Sequence, residues 1–255
     1  MSRPAPVARS VSSLAAHELR LTARRGENVL VTLVVPVAVL LFFASAGQVP
    51  GVSGTSVDFL LPGAIALAVV AGGMVSLGIA TAYERAYGVL KRLGGAPLPP
   101  WALLAAKLAA VAILTVLQTA LLIGVGVAFL GWSPGAGWSP LLLVASLALG
   151  MVAFAGLGLL LAGSLRAEAV LALANGVFLV FLMLGGIVLP VDLLPEALRP
   201  VAAVLPATAL ADLLRISLVS GVDPATVPSP AMPALVLTAW AVVTAALASR
   251  FFRWD

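Results

Sequence analysis

The chain has 255 residues, of which 62% are hydrophobic and 9% charged, with a formal net charge of +4 and no cysteine. A water-dispersed domain of this length carries about a quarter charged residues on its outer shell, so the composition excludes a soluble globular protein and makes lipid the solvent. Without cysteine there are no disulfides or thiolate metal sites, and because twelve of the fourteen basic residues are Arg, their placement says more than their sum.

The first 28 residues are polar and basic and contain no apolar run ending at a small-residue cleavage site. No cleavable signal is expected, and the first span serves as its own insertion signal. Within this segment 12–25 reads as an amphipathic helix, with Ser13, His17, Arg20 and Arg24 on one side and Val11, Leu14, Ala15, Leu19 and Leu21 opposite. Glu18 and Arg25 intrude on the apolar side. A basic helix of this kind suits the cytoplasmic headgroup layer.

A hydrocarbon core of about 30 Å needs about 20 apolar residues in a helix that satisfies its own backbone. Six stretches qualify, at 29–46, 59–82, 108–130, 141–163, 169–189 and 231–249, the first being the shortest and carrying Pro36. Basic residues alternate between the loops. Arg3, Arg9, Arg20, Arg24 and Arg25 precede the first span; Arg85, Lys91, Arg92 and Lys107 flank the second loop; Arg166 lies in the fourth; Arg250 and Arg253 lie in the tail. The first and third loops hold none, and the fifth holds only Arg199 and Arg215 among Asp192, Glu196, Asp212 and Asp223. Short basic loops resist translocation, which places both termini and the second loop in the cytoplasm.

The fifth loop, 190–220, is apolar enough to enter lipid, but its prolines and charges forbid a crossing. Leu210, Leu213, Leu214 and Leu218 recur at helical spacing opposite Asp212 and Arg215, which predicts short re-entrant helices in the outer leaflet. The fold class is therefore an all-α membrane protein. It has a cytoplasmic interfacial segment over 1–28 and a single six-helix domain over 29–255.

Catalytic groups are absent. His17 is the only histidine, no span holds paired carboxylates, and no phosphate-binding loop of the G-x-x-x-x-G-K-[ST] kind occurs, so metal, acid–base and nucleotide chemistry within this chain are not expected. No Asp, Glu, Lys or Arg sits mid-span to bind a driving ion. Polar residues in the spans are Ser76, Thr115, Gln118, Thr119, Ser146 and Asn175. Of these, Gln118 and Asn175 are costly against lipid and are expected to face the bundle or a subunit contact, as candidate pathway or helix-contact residues. Gly72, Gly73, Gly78, Gly124, Gly126, Gly156, Gly158, Gly185 and Gly186 permit close helix approach.

The most polar interruption is YERAYGVLKRLGGAPLPP, residues 83–100. Its first part, from Tyr83 to Leu93, predicts about three turns of helix with Tyr83, Tyr87 and Leu90 on one side and Glu84 one to two turns from Gly88 and Lys91. Gly94 and Gly95 end that helix, and Pro97, Pro99 and Pro100 impose an extended turn before Trp101 re-enters at the interface.

The run from Glu84 to Lys107 resembles the signature between the second and third spans of ABC type-2 transporter permeases, through Glu84, Arg85, Gly88, Leu90, Lys91, Arg92, Leu93, Pro97, Leu98 and Lys107. Val89 stands where that family usually has Thr. The resemblance implies half of an exporter's membrane domain in a bacterial cell membrane, working as a homodimer or with a related permease. Two separate ATP-binding-cassette subunits would power it and hold the ATP and magnesium, leaving this chain with no directly bound cofactor, no enzymatic activity and no nucleic-acid partner. The segment 83–95 would be the coupling helix, touching the ATPase through Glu84, Arg85, Tyr87, Gly88, Leu90, Lys91, Arg92 and Leu93. A pathway lined by Leu, Val, Ala and Phe favours export of a drug, antibiotic or lipid-like molecule. The alternatives are export of a lipid-linked polysaccharide, a membrane assembly partner that moves nothing, and a membrane enzyme acting on lipids.

Overall fold

A computed structural model of the protein describes residues 7–24, 26–45, 47–52, 55–94, 100–135, 137–219 and 229–251, and every regular element among them is helical. In chain order these are α1 (Val7–Arg24), α2 (Gly26–Ser45), α3 (Ser56–Val70), α4 (Leu77–Ala86), α5 (Val89–Gly94), α6 (Pro100–Leu130), α7 (Pro140–Ser164), α8 (Ala167–Leu184), α9 (Arg199–Ala203), α10 (Pro206–Leu218) and α11 (Ala231–Phe251). A π-helical turn, Ala71–Ser76, joins α3 to α4.

Five helices among the described residues are long and apolar enough to cross a membrane: Ser56–Ala86, Ala102–Leu130, Pro140–Ser164, Ala167–Leu184 and Ala231–Phe251. The remaining expected span falls on α2, where only the apolar stretch Val34–Ser45 has described side chains, and that stretch alone is shorter than a crossing needs.

The centre of the bundle is the second span. Leu61, Ile65 and Leu67 of α3 and Met74 of the π turn are fully buried with Phe154 of α7 and with Leu210, Leu213 and Leu214 of α10. Phe154 meets Phe181 of α8 edge to face, ring centres 5.8 Å apart. Glycine allows the second span and α7 to approach this closely. A Cβ on Gly158 would lie 2.7 Å from the carbonyl oxygen of Gly73 and 2.8 Å from that of Met74. The Leu77 amide donates back to the Gly72 carbonyl five residues earlier, so the π turn absorbs one extra residue where the two backbones touch. On the other side of α7, Thr244 of α11 shares its hydroxyl hydrogen between its own Trp240 carbonyl at 2.8 Å and the Ala153 carbonyl of α7 at 3.1 Å.

Several expectations need correction. The fifth span stops at Leu184 rather than 189, because Gly186 takes a left-handed φ of +63° that no helix continues through. The buried backbone of Ile187 then packs on Gly63, whose added Cβ would collide with the Ile187 oxygen. The outer loop does contain short helices, α9 and α10, preceded by a 3-10 turn at Val191–Leu193, but α10 is packed against α3, α7 and α11. Its leucines are buried in the protein, and Arg215, opposite them by helical spacing, is buried as well. Of the polar span residues, Thr115, Gln118, Thr119 and Ser146 are buried, whereas Ser76 and Asn175 are exposed on this chain's outer surface. Asn175 donates from its amide to its own Leu171 carbonyl at 2.8 Å.

Candidate functional site

The expected single helix over 83–95 is two helices. The second span runs on through Ala86, so Tyr83, Glu84 and Arg85 form its last turn, and the chain reverses at Tyr87 and Gly88 before α5 begins. Gly88 holds φ at +69°, which a residue with a Cβ adopts only under strain, and this explains a glycine among helix formers. Gly94 is the last described residue of α5, and Gly95, the other glycine expected to end the helix, lies outside the described residues.

The break sorts the predicted coupling residues into two groups. Tyr87 is 70% exposed, and Val89 and Lys91 also face outward. Leu90, by contrast, is fully buried and seats α5 on the bundle. Tyr83 stacks on Tyr87 with ring centres 6.0 Å apart and so supports the exposed ring from beneath. Arg92 and Leu93 lie on α5 with side chains outside the described set, and Pro97 and Leu98 lie outside the described residues.

Glu84 and Arg85 turn back into the protein. Glu84 pairs with Lys107 of α6 at 2.7 Å rather than with Lys91, and the same ammonium pairs with Glu18 of α1 at 2.8 Å. Lys107 is 3% exposed, while the two carboxylates keep 22% and 24% of their surface, so one desolvated cation joins three elements at the edge of water. The amphipathic segment expected here is helical, and its apolar side faces the protein. That side, including the buried Ala15, packs on α6, and His17 and Arg20 remain exposed on the opposite side. Glu18 sits among apolar neighbours because its partner is there. Arg85 donates from one guanidinium nitrogen to the Gly163 carbonyl at 2.7 Å and from the other to the Leu165 carbonyl, binding the end of α7.

A second polar cluster lies at the opposite end of the second span. Arg215 pairs with Asp212 at 2.9 Å, donates to the Gly186 carbonyl, and stacks 4.0 Å over the Phe59 ring. Trp132 donates to Asp58 at 3.0 Å, and the amides of Gly135 and Ser139 donate to the Leu218 and Ser217 carbonyls at 3.1 and 2.9 Å. The two loops at this end are thus bonded to each other. Among the described residues no cluster of three His, Asp or Glu side chains is placed to hold a metal ion.

The site is thus an exposed turn at Tyr87 and Gly88 on an apolar bundle, anchored through the adjacent Glu84 and Arg85. A family model for ABC-2 type transporters matches residues 9–219. The chain belongs to the ABC-2 type transporter family. No curated protein matches the sequence. The ABC-2 match covers most of α1, the hairpin, the spans through α8 and the outer loop through α10. As an ABC-2 permease it is a membrane transport component rather than a catalyst, and its family implies a nucleotide-binding partner.

Glu18 was missed as a site residue, and Lys107 was seen only as part of a motif. The legible signal was an acidic residue on the apolar side of a basic helix together with a lysine at the mouth of a span, each costly alone and cheap as a pair.

Proposed function

We propose that this chain is the permease half of an ATP-driven exporter, with six spans, α2 being the first, and both termini in the cytoplasm. It pairs with a second copy or a related permease, and two ATP-binding-cassette subunits drive it. The carrying observation is the hairpin at Gly88, which leaves Tyr87, Val89 and Lys91 outward while Leu90 and Glu84 hold it to the bundle. An aromatic, an aliphatic and a cation on one exposed turn suit a groove in a protein partner better than water or lipid. The permease supplies no chemistry. Nucleotide-driven closure of the motor displaces the hairpin, and the bundle switches between packings that differ by a few kcal/mol. The apolar lining available from Leu, Val, Ala and Phe favours a hydrophobic or amphiphilic passenger such as a drug, an antibiotic or a lipid-like molecule.

The test is co-expression with the ATP-binding-cassette subunit encoded nearest the permease gene. The two should co-purify, and reconstitution with the permease should raise the ATPase rate. Lys91→Glu should weaken both. A cysteine at Tyr87 that reacts only with reagent applied from outside the cell would remove the reading, since the motor could not reach it.

A further inference from the structure

The last turn of α4 ends in two adjacent residues of opposite charge that reach in different directions. Glu84 goes to Lys107, whereas Arg85 crosses to residues 78 and 80 positions away, donating to the carbonyls of Gly163 and Leu165. These carbonyls close α7 and begin the turn into α8, where intrahelical donors have run out. A guanidinium suits the place because its planar fork offers two donors side by side and its charge meets the negative end of the helix dipole. The contact continues as packed side chains: Ala82 of α4 is buried against Ala162 of α7 and against Ala167 and Val170 of α8. The turn between α7 and α8 therefore has two of its carbonyls, those of Gly163 and Leu165, bonded by Arg85.

We infer that Arg85 is a positioning residue that fastens the α7–α8 turn to the hairpin, so that a push on α5 moves both loops at this end of the bundle as one body. The inference rests on the permease reading, which supplies the push but assigns no part to the fourth loop, the turn between α7 and α8. Arg85 is thereby removed from the surface offered to the motor and placed in the path that carries its stroke inward.

Because the chain has no cysteine, paired nitroxide labels can be placed without background. Ala86→Cys and Glu168→Cys, both exposed, mark the end of α4 and the start of α8. In lipid nanodiscs with the ATPase bound, Arg85 intact should give one narrow spin–spin distance, the same without nucleotide and with trapped ATP. Arg85→Met should broaden that distance, make it respond to nucleotide, and lower permease-dependent ATPase stimulation several-fold while the complex still co-purifies. Arg85→Lys keeps the charge but loses the fork, and should fall between; it carries the measurement if the Met variant does not accumulate. A narrow, nucleotide-independent distance in these variants overturns the inference and leaves the permease reading standing. If no ATPase co-purifies with the unmutated chain, the permease reading fails instead. The distance in lipid alone then decides whether Arg85 fastens the turn, and a narrow distribution in Arg85→Met rejects it.

Discussion

The Lys107 ammonium lies 2.8 Å from the Glu18 carboxylate, although 89 residues separate them in the chain. Glu84 approaches the same nitrogen at 2.7 Å, so the cluster holds two carboxylates and one cation. A lysine that is 3% exposed tolerates its burial only because both partners are present. The consequence is mechanical as well as electrostatic: the amino-terminal helix, the end of the second span and α6 share a single nitrogen.

Lys107→Met should therefore destabilise the protein by more than a surface charge change would. The variant leaves two carboxylates facing one another without a cation. Breaking a buried pair costs about 3–5 kcal/mol, and the lower end applies because both carboxylates keep some water. Thermal unfolding in detergent checks the size of the loss. Lys107→Arg should recover most of it, and a Lys107→Met melt equal to that of the unmutated protein would show that the cluster carries no load.

Gly158→Ala tests the close crossing of α7 on the second span. The new methyl would lie 2.7 and 2.8 Å from two backbone oxygens, which cannot rotate away as a side chain could. Overpacking of this kind costs about 1–3 kcal/mol. Gly124→Ala is the matched control, since an added Cβ there meets nothing within 4 Å. Thermal melts of the two variants should separate clearly, with Gly124→Ala at or slightly above the unmutated protein because alanine is the better helix former.

How far the sequence foretold this arrangement depends on which physical signal each part leaves. Lipid solvation writes itself into composition, so the spans on α7 and α11 were legible within a few residues, while α6 begins at Pro100, ahead of the start expected at 108. The end of α8 was not, because Gly185 and Gly186 sit inside an apolar run whose hydropathy continues to Leu189 while the backbone turns away. The hairpin's position was legible from its charges and prolines. Its break at Gly88 was hidden by helix formers on both sides, and only a left-handed φ reveals it. Pairings across long separations, Glu18 with Lys107 and Arg85 with Gly163, leave no local pattern at all. The burial of Arg215 belongs to the same class: helical spacing put it opposite the leucines of α10, and it is Phe59 of α3 and the irregular stretch following α8 that enclose it.

Gly88→Val should disable coupling more than folding. A β-branched residue at φ +69° is strained by about 1–2 kcal/mol. Space is no obstacle, for nothing lies within 4 Å of an added Cβ. The hairpin can relieve the strain by shifting α5, which moves Tyr87, Lys91 and the buried Leu90 while leaving the central packing of α3, α7 and α10 untouched. The expected outcome is a melting temperature within a few degrees of the unmutated protein, with stimulation of the partner ATPase largely lost. Equal loss of both would place Gly88 in the fold rather than in the coupling path.

Arg215→Leu should loosen the end of the bundle opposite the hairpin. The guanidinium supplies a donor to the carbonyl of Gly186, which lies in the irregular stretch following α8 and has no helical partner there, and it stacks on Phe59 of α3. A leucine keeps the apolar contact with Phe59 but leaves the Gly186 oxygen buried without that donor, a loss of about 1–3 kcal/mol. Asp212 also loses its paired cation, so the double variant Arg215→Leu with Asp212→Asn should be more stable than Arg215→Leu alone. Backbone hydrogen exchange should rise over 185–189 and along α10 while α1 and α6 keep their protection. Exchange that rises equally at both ends would mean that Arg215 supports the whole bundle, because a local clasp releases only the segments it joins.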